Sequence, residues 1–158
     1  PLNPSAHPQP MTQPTTPTET PLQRVQRSLE RQGLMRHLGA ELLRVVPGEC
    51  VVTLPFSDKA SQQHGSFHGG AVGALADIAG GYAALTVAPP DTEVVSLEYK
   101  INFLAACHGG ELCATGRVVK NGKRVIVTSA EVSHIADDGT QTLCAVMQQT
   151  VMPVPKNY

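Results

Sequence analysis

The run His64-Gly65-Ser66-Phe67-His68-Gly69-Gly70 leads directly into Ala71-Val72-Gly73-Ala74-Leu75-Ala76-Asp77-Ile78-Ala79-Gly80-Gly81-Tyr82-Ala83-Ala84-Leu85. A polar, glycine-hinged loop thus opens a long apolar helix that carries one ionisable acid, Asp77. Burying a single carboxylate among Ala, Leu, Ile and Gly is costly. Such a placement more often marks a site than a packing accident, and a carboxylate so held is a candidate base. Other chemistries fit less well. His64 and His68 stand four apart, as in helical zinc pairs, but Gly65 argues for a loop and no glutamate adjoins them. No metal site is expected. No cysteine sits in a nucleophile setting, and there is no G-x-S-x-G elbow.

The elements that must position these residues follow from patterning. Pro21 to about Leu38 has Val25, Leu29, Leu34 and Leu38 near helical spacing among Arg, Gln and Glu, which predicts one surface helix weakened by Gly33. Glu41 to Phe56 holds apolar runs split by Pro47-Gly48, a hairpin or a bulged strand. Ser57 to Phe67 reads as a loop. The long helix runs from about Gly70 to Val87 and stops at Pro89-Pro90. Beyond it, Val94–Ala105, Glu111–Lys120, Arg124–Ile135 and Gln141–Met152 read as strands in a four-stranded meander. Asn121-Gly122 and Asp137-Asp138-Gly139 between them are strong hairpin signals. The architecture predicted is α+β, one long helix laid across a five- or six-stranded antiparallel sheet. Gly73, Ala76, Gly80, Ala83 and Ala84 let the sheet approach the helix closely.

The chain has 158 residues and a net charge of −1, enough for one domain with a real core. Its basic residues are scattered, which argues against nucleic acid. Residues 71–88 are apolar enough to raise the question of a membrane span. An aspartate at a span's centre costs roughly 2.5–3.5 kcal/mol, so a buried helix in a soluble protein is the better reading. Cys50, Cys107, Cys113 and Cys144 form no metal or disulfide spacing and read as reduced thiols of a cytoplasmic protein. Residues 1–20, crowded with Pro, Thr, Gln and Ser, read as a disordered tail without a signal-peptide core, and Met11 as a candidate natural start. The domain is then 21–158.

The pattern H-G-x-x-H-G-G, then an alanine-rich helix, then Leu75-Ala76-Asp77, resembles the hotdog-fold thioesterases, particularly the acyl-CoA branch that includes the phenylacetate-degradation enzyme. The likeness spans about residues 40–152 and extends through the strand Val95–Leu104. It implies hydrolysis of an acyl-CoA to free acid and CoA, with no cofactor. By this resemblance Asp77 is the catalytic carboxylate, as general base or as nucleophile through an anhydride. The Gly69 amide, at a helix N-terminus with its free N–H groups and partial positive charge, binds the oxyanion. Ser96 matches a serine that helps hold the attacking water. Gln62 falls where many relatives have an asparagine, with Gln63 adjacent, and His68 orients the loop or assists the carbonyl. Gly70 borders the substrate; Tyr82, Phe67 and Phe103 are lining candidates, although a place in the core explains them equally well. Lys120, Lys123 and Arg124 are candidates for the CoA phosphates, although a solvated hairpin tip explains them equally well.

Gly69 and Asp77 are eight residues apart, about 12 Å along a helix, whereas reacting groups must meet within ~3–3.5 Å of one carbon. One chain cannot easily supply both, so a homodimer with Gly69 of one chain facing Asp77 of the other is expected. Relatives of this branch are often tetramers. The rival readings are a non-catalytic acyl-CoA binding module, which the glutamine at the asparagine position favours, and a hotdog hydratase or dehydratase, whose signature is absent. The acyl group is left open among aromatic, short and medium chains.

Overall fold

A computed structural model of the chain describes residues 19–158. Most of the expected tail lies outside the described residues. Its last two positions, Glu19 and Thr20, lead directly into the first helix, α1 (Pro21–Glu30). Thr20 caps it, accepting from Gln23 N at 3.2 Å, while Gln23 Oε1 accepts from Thr20 N at 2.9 Å. This reciprocal box satisfies two donors that a helix start otherwise leaves open, and Pro21 sits where a missing N–H costs nothing.

The single helix expected over 21–38 is in fact two. Gln32 is extended, and a second helix, α2 (Gly33–Leu38), starts after it and ends on Gly39 at φ 82°. Gly33 is therefore a helix start rather than a weak interior. The break turns Met35 and Leu38 inward beside Val25, all three buried.

Strands β1 (Glu41–Val46) and β2 (Glu49–Pro55) form the hairpin expected around Pro47-Gly48, with a bulge between Leu42 and Arg44. A short 3-10 turn at Asp58–Ala60 then leads to the long helix α3 (Gly69–Leu85). Four strands follow: β3 (Thr92–Phe103), β4 (Glu111–Asn121), β5 (Ile126–Ile135) and β6 (Gln141–Pro155). All six strands make one antiparallel sheet in the order β1-β2-β4-β5-β6-β3.

The four-strand meander is thus corrected. Only β4-β5-β6 run as neighbours, joined by Asn121-Gly122 and Asp137-Asp138-Gly139, while β3 pairs with β6 and forms a sheet edge. The reason lies in the connection after β3. It carries no two-residue hairpin turn, and Gly109 and Gly110, at φ 63° and 60°, bend the chain back so that Gly110 O accepts from Phe56 N beyond β2.

Helix α3 lies on one face of this sheet. Leu75, Ala76, Ala79, Ala83 and Leu85 are buried against Val52, Leu54, Leu112, Ala114 and Val132. The closest approach is at Gly116 of β4, where a Cβ would fall 2.1 Å from the Ala79 carbonyl oxygen. Helix and sheet backbones nearly touch there, which only small residues permit.

Candidate active site

Asp77 stands near the middle of α3, facing β3 and β6, and is half-buried. Its expected surroundings of aliphatic side chains are corrected by the structure: polar groups meet the carboxylate. Ser96 Oγ donates to Asp77 Oδ1 at 2.6 Å. Gln149 Nε2 also donates to Oδ1, and lies 2.9 Å from Ser96 Oγ and 3.4 Å from the Asp77 main-chain carbonyl. Gln149 Oε1 in turn accepts from Thr128 Oγ1 at 3.0 Å. Oδ2 has no hydrogen-bond partner among the described residues. Because Ser96 directs its proton at Asp77, its oxygen is left to accept from its other neighbours, Gln149 Nε2 among them. Gln149 and Thr128 were not singled out from the sequence. A signal existed: Gln149 falls between Met147 and Val151 on the core-facing parity of β6, where an apolar residue is expected.

The other end of α3 is built by its cap. His68, extended at φ −68°, accepts from Gly70 N through Nδ1 at 2.8 Å. Gly70 N–H is therefore occupied, while the Gly69 N–H has no partner among the described residues. Gln62 lines the cleft beside Gly69, together with Ser66, Phe67, Val72 and Phe103. Its amide is held within its own loop. Nε2 donates to Ser66 Oγ at 2.6 Å, and Oε1 accepts from His64 N at 2.5 Å. Gln63, His64 and His68 are exposed and line no cleft described here.

A separate cleft adjoins Asp77, bordered by Ser96, Ile78, Gly81, Tyr82, Gln32 and Glu93. Tyr82 is buried, accepting from Gln32 Nε2 at 2.9 Å and lying 3.3 Å from Ser28 Oγ. Burial pushes its hydroxyl up to about 12. The two clefts share no lining residue, so one chain keeps Asp77 and Gly69 apart. Gly70 borders neither cleft. Lys120, Lys123 and Arg124 are exposed at the β4–β5 turn near the C-terminal end of α3, where Asn121 Nδ2 lies 3.4 Å from Val87 O, and they too border neither cleft. Among the described residues no three His, Cys, Asp or Glu side chains converge as a metal site would need.

A long helix laid on one face of a six-stranded antiparallel sheet is the hotdog fold. Residues 64–140 match the Thioesterase superfamily. The chain belongs to that superfamily and is a thioester hydrolase. It is 31% identical over 119 residues to the 1,4-dihydroxy-2-naphthoyl-CoA hydrolase of Listeria monocytogenes, which covers 75% of this chain and 94% of that protein. The crystal structure of a thioesterase family protein from Silicibacter pomeroyi superposes with a TM-score of 0.82 at 32% identity, covering 85% of this chain and 98% of the other. The PaaI protein of the phenylacetic acid degradation operon of E. coli shares the fold, with a TM-score of 0.75 at 24% identity over 87% of this chain and 95% of that one. No helix among the described residues is long and apolar enough to cross a membrane.

Proposed function

We propose that this chain hydrolyses acyl-CoA thioesters to free acid and CoA. The observation that carries the reading is a carboxylate tied down through Oδ1 with Oδ2 open, on the same helix whose first amide, Gly69 N–H, is unpartnered. Oδ2 removes a proton from the attacking water, or attacks the thioester carbon itself. The carbonyl oxygen, gaining negative charge, is received by the Gly69 N–H at the positive end of α3. Collapse of the tetrahedral intermediate expels the CoA thiolate. After attack by water the acid is free and the proton held by Asp77 passes to the thiolate. After attack by Oδ2 an acyl anhydride on Asp77 remains, which water then hydrolyses to the free acid and the carboxylate. Gln62 shapes the wall on the Gly69 side, and Ser96 and Tyr82 the wall on the Asp77 side. The Listeria relative acts on a CoA thioester by its name, which supports CoA as the leaving group.

The two halves belong to different clefts in one chain, so the complete site lies between two copies. Edge strand β3 supports this. It pairs on one side only, is 12 residues long and exposes Val95, Leu97, Tyr99 and Phe103, with Leu97 52% and Phe103 55% accessible. A long apolar edge of this kind is a ready template for a second strand. The four unpaired thiols suit a reducing compartment such as the cytoplasm.

The test is release of free CoA from a panel of phenylacetyl-, hydroxybenzoyl-, short- and medium-chain acyl-CoAs. Turnover of at least one, abolished in Asp77→Ala, is the expected result. A folded Asp77→Ala variant with native turnover refutes the assignment of Asp77. Absence of turnover across the panel by native protein favours a binding module instead.

A further inference from the structure

Gln149 is fully buried in the middle of β6, in register with Tyr99 of β3 on one side and Thr128 of β5 on the other. An amide there must be desolvated, and any donor or acceptor it leaves unmatched is destabilising. Leucine or methionine would fill the same parity at less cost, as Met147 and Val151 do on either side. What the amide adds is its direction. Oδ1 and the main-chain carbonyl of Asp77 are both acceptors, so the NH2 group must face them. The amide oxygen then points at Thr128, whose hydroxyl has to donate. Thr128 therefore removes the flip ambiguity of a glutamine in a symmetric slot.

Helix α3 makes room for this pair. A Cβ at Gly80, three residues beyond Asp77, would fall 2.3 Å from Gln149 Oε1 and 2.8 Å from Thr128 Oγ1. Glycine inside a helix is less favourable than alanine, and here it leaves the space the amide needs. Both the side chain and the backbone of residue 77 lie within reach of one buried NH2 group.

We infer that Gln149, oriented by Thr128, is a positioning residue that locks Asp77 through Oδ1 so that Oδ2 alone faces the cleft. Without it, Ser96 is the sole donor and the carboxylate turns about its Cβ–Cγ bond, exchanging its two oxygens. This rests on the reading of Asp77 as the reacting carboxylate.

The experiment measures kcat, KM and melting temperature for the full chain and for Asp77→Ala, Gln149→Met, Thr128→Val and Thr128→Ser. The substrate is phenylacetyl-CoA or, where that is slower, the fastest member of the panel above. Gln149→Met and Thr128→Val are expected to lower kcat about tenfold or more, within the range that small misplacements of reacting groups produce, with KM little changed. Thr128→Ser keeps the orienting hydroxyl and restores most of kcat. A folded Gln149→Met enzyme with native kcat overturns the inference. So does a Thr128→Val enzyme that melts lower yet keeps native kcat at 25 °C, because that pattern is structural support alone. Should Gln149→Met fail to fold, the ratio of kcat between Thr128→Ser and Thr128→Val decides, and a ratio near one overturns the inference. Native turnover by Asp77→Ala is a different failure, that of the functional reading itself.

Discussion

The two oxygens of Asp77 have different fates, and the difference comes from neighbours far away in the chain. Ser96 is visible from the sequence as a polar residue at the start of an apolar strand. Gln149 is visible only as a break in parity, and its partner Asp77 lies 72 residues away. Elsewhere burial acts on single groups in a way that titration can read. Desolvation pushes the Cys50 and Cys144 thiols from their ordinary 9 up to about 12, helped by Glu49 at Cys50 and by Cys107 at Cys144. It pushes the Tyr82 hydroxyl from 10 up to about 12. In the unfolded chain these groups lose their protons from about pH 9 to 10 upward, while the folded chain keeps them. Their contribution to stability is complete below pH 9 and is lost as pH rises toward 12. The urea midpoint is therefore expected to fall between pH 8 and about pH 10.5. Cys50→Ala, less stable at pH 8 for lack of its sulfur, should show a shallower alkaline decline.

Between elements, the separation of α3 from β4 is set by one missing side chain. At Gly116 a Cβ would sit 2.1 Å from Ala79 O and 2.2 Å from Ala79 C, backbone atoms that cannot turn aside as a rotamer can. Gly116→Ala is expected to cost about 3 kcal/mol, the upper end for overpacking, which is roughly 10 °C in Tm for a chain of this size. Gly33 is the contrast. It starts α2 with nothing near its Cβ position, so Gly33→Ala should leave Tm unchanged or raise it, by up to about 1 kcal/mol in stability. Differential scanning of both variants checks the pair. The small residues on α3 announce close packing in the sequence, but not which glycine of the sheet receives the helix. The hairpin turns were legible because Asn-Gly and Asp-Gly carry their geometry locally. The crossover after β3 was not, since a seven-residue connection leaves its destination to sheet pairing.

At the scale of the whole molecule, the separation of the two clefts predicts that a working site takes residues from two chains. Gly69 is the first residue of α3, and His68 before it is extended, so proline is tolerated at position 69. Gly69→Pro removes the one N–H assigned to the oxyanion while keeping the helix. Gly69→Pro and Asp77→Ala are each expected to abolish turnover. Co-expressed, half of the dimers formed at random are mixed and each mixed dimer holds one intact site, so roughly a quarter of native activity should return. No recovery, with mixed dimers present by mass, refutes the shared site. Light scattering against the 16.7 kDa chain mass separates monomer, dimer and tetramer directly.

Short-range chemistry is written in neighbouring residues. The glycine-hinged start of α3, its lone acid, the turns and the strand periodicity all follow from side chains a few positions apart, and with them the class of fold and the nomination of Asp77 and Gly69 for the variants above. Their spacing along one helix is what argues for a site shared between two copies. The convergence of Asp77, Ser96, Thr128 and Gln149, the edge position of β3 and the isolation of the two clefts belong to another kind of information. They depend on which strands pair and in what register, and pairing is set by the summed burial of the whole sheet against α3. Nothing near residue 149 in the chain shows that a carboxylate waits above it.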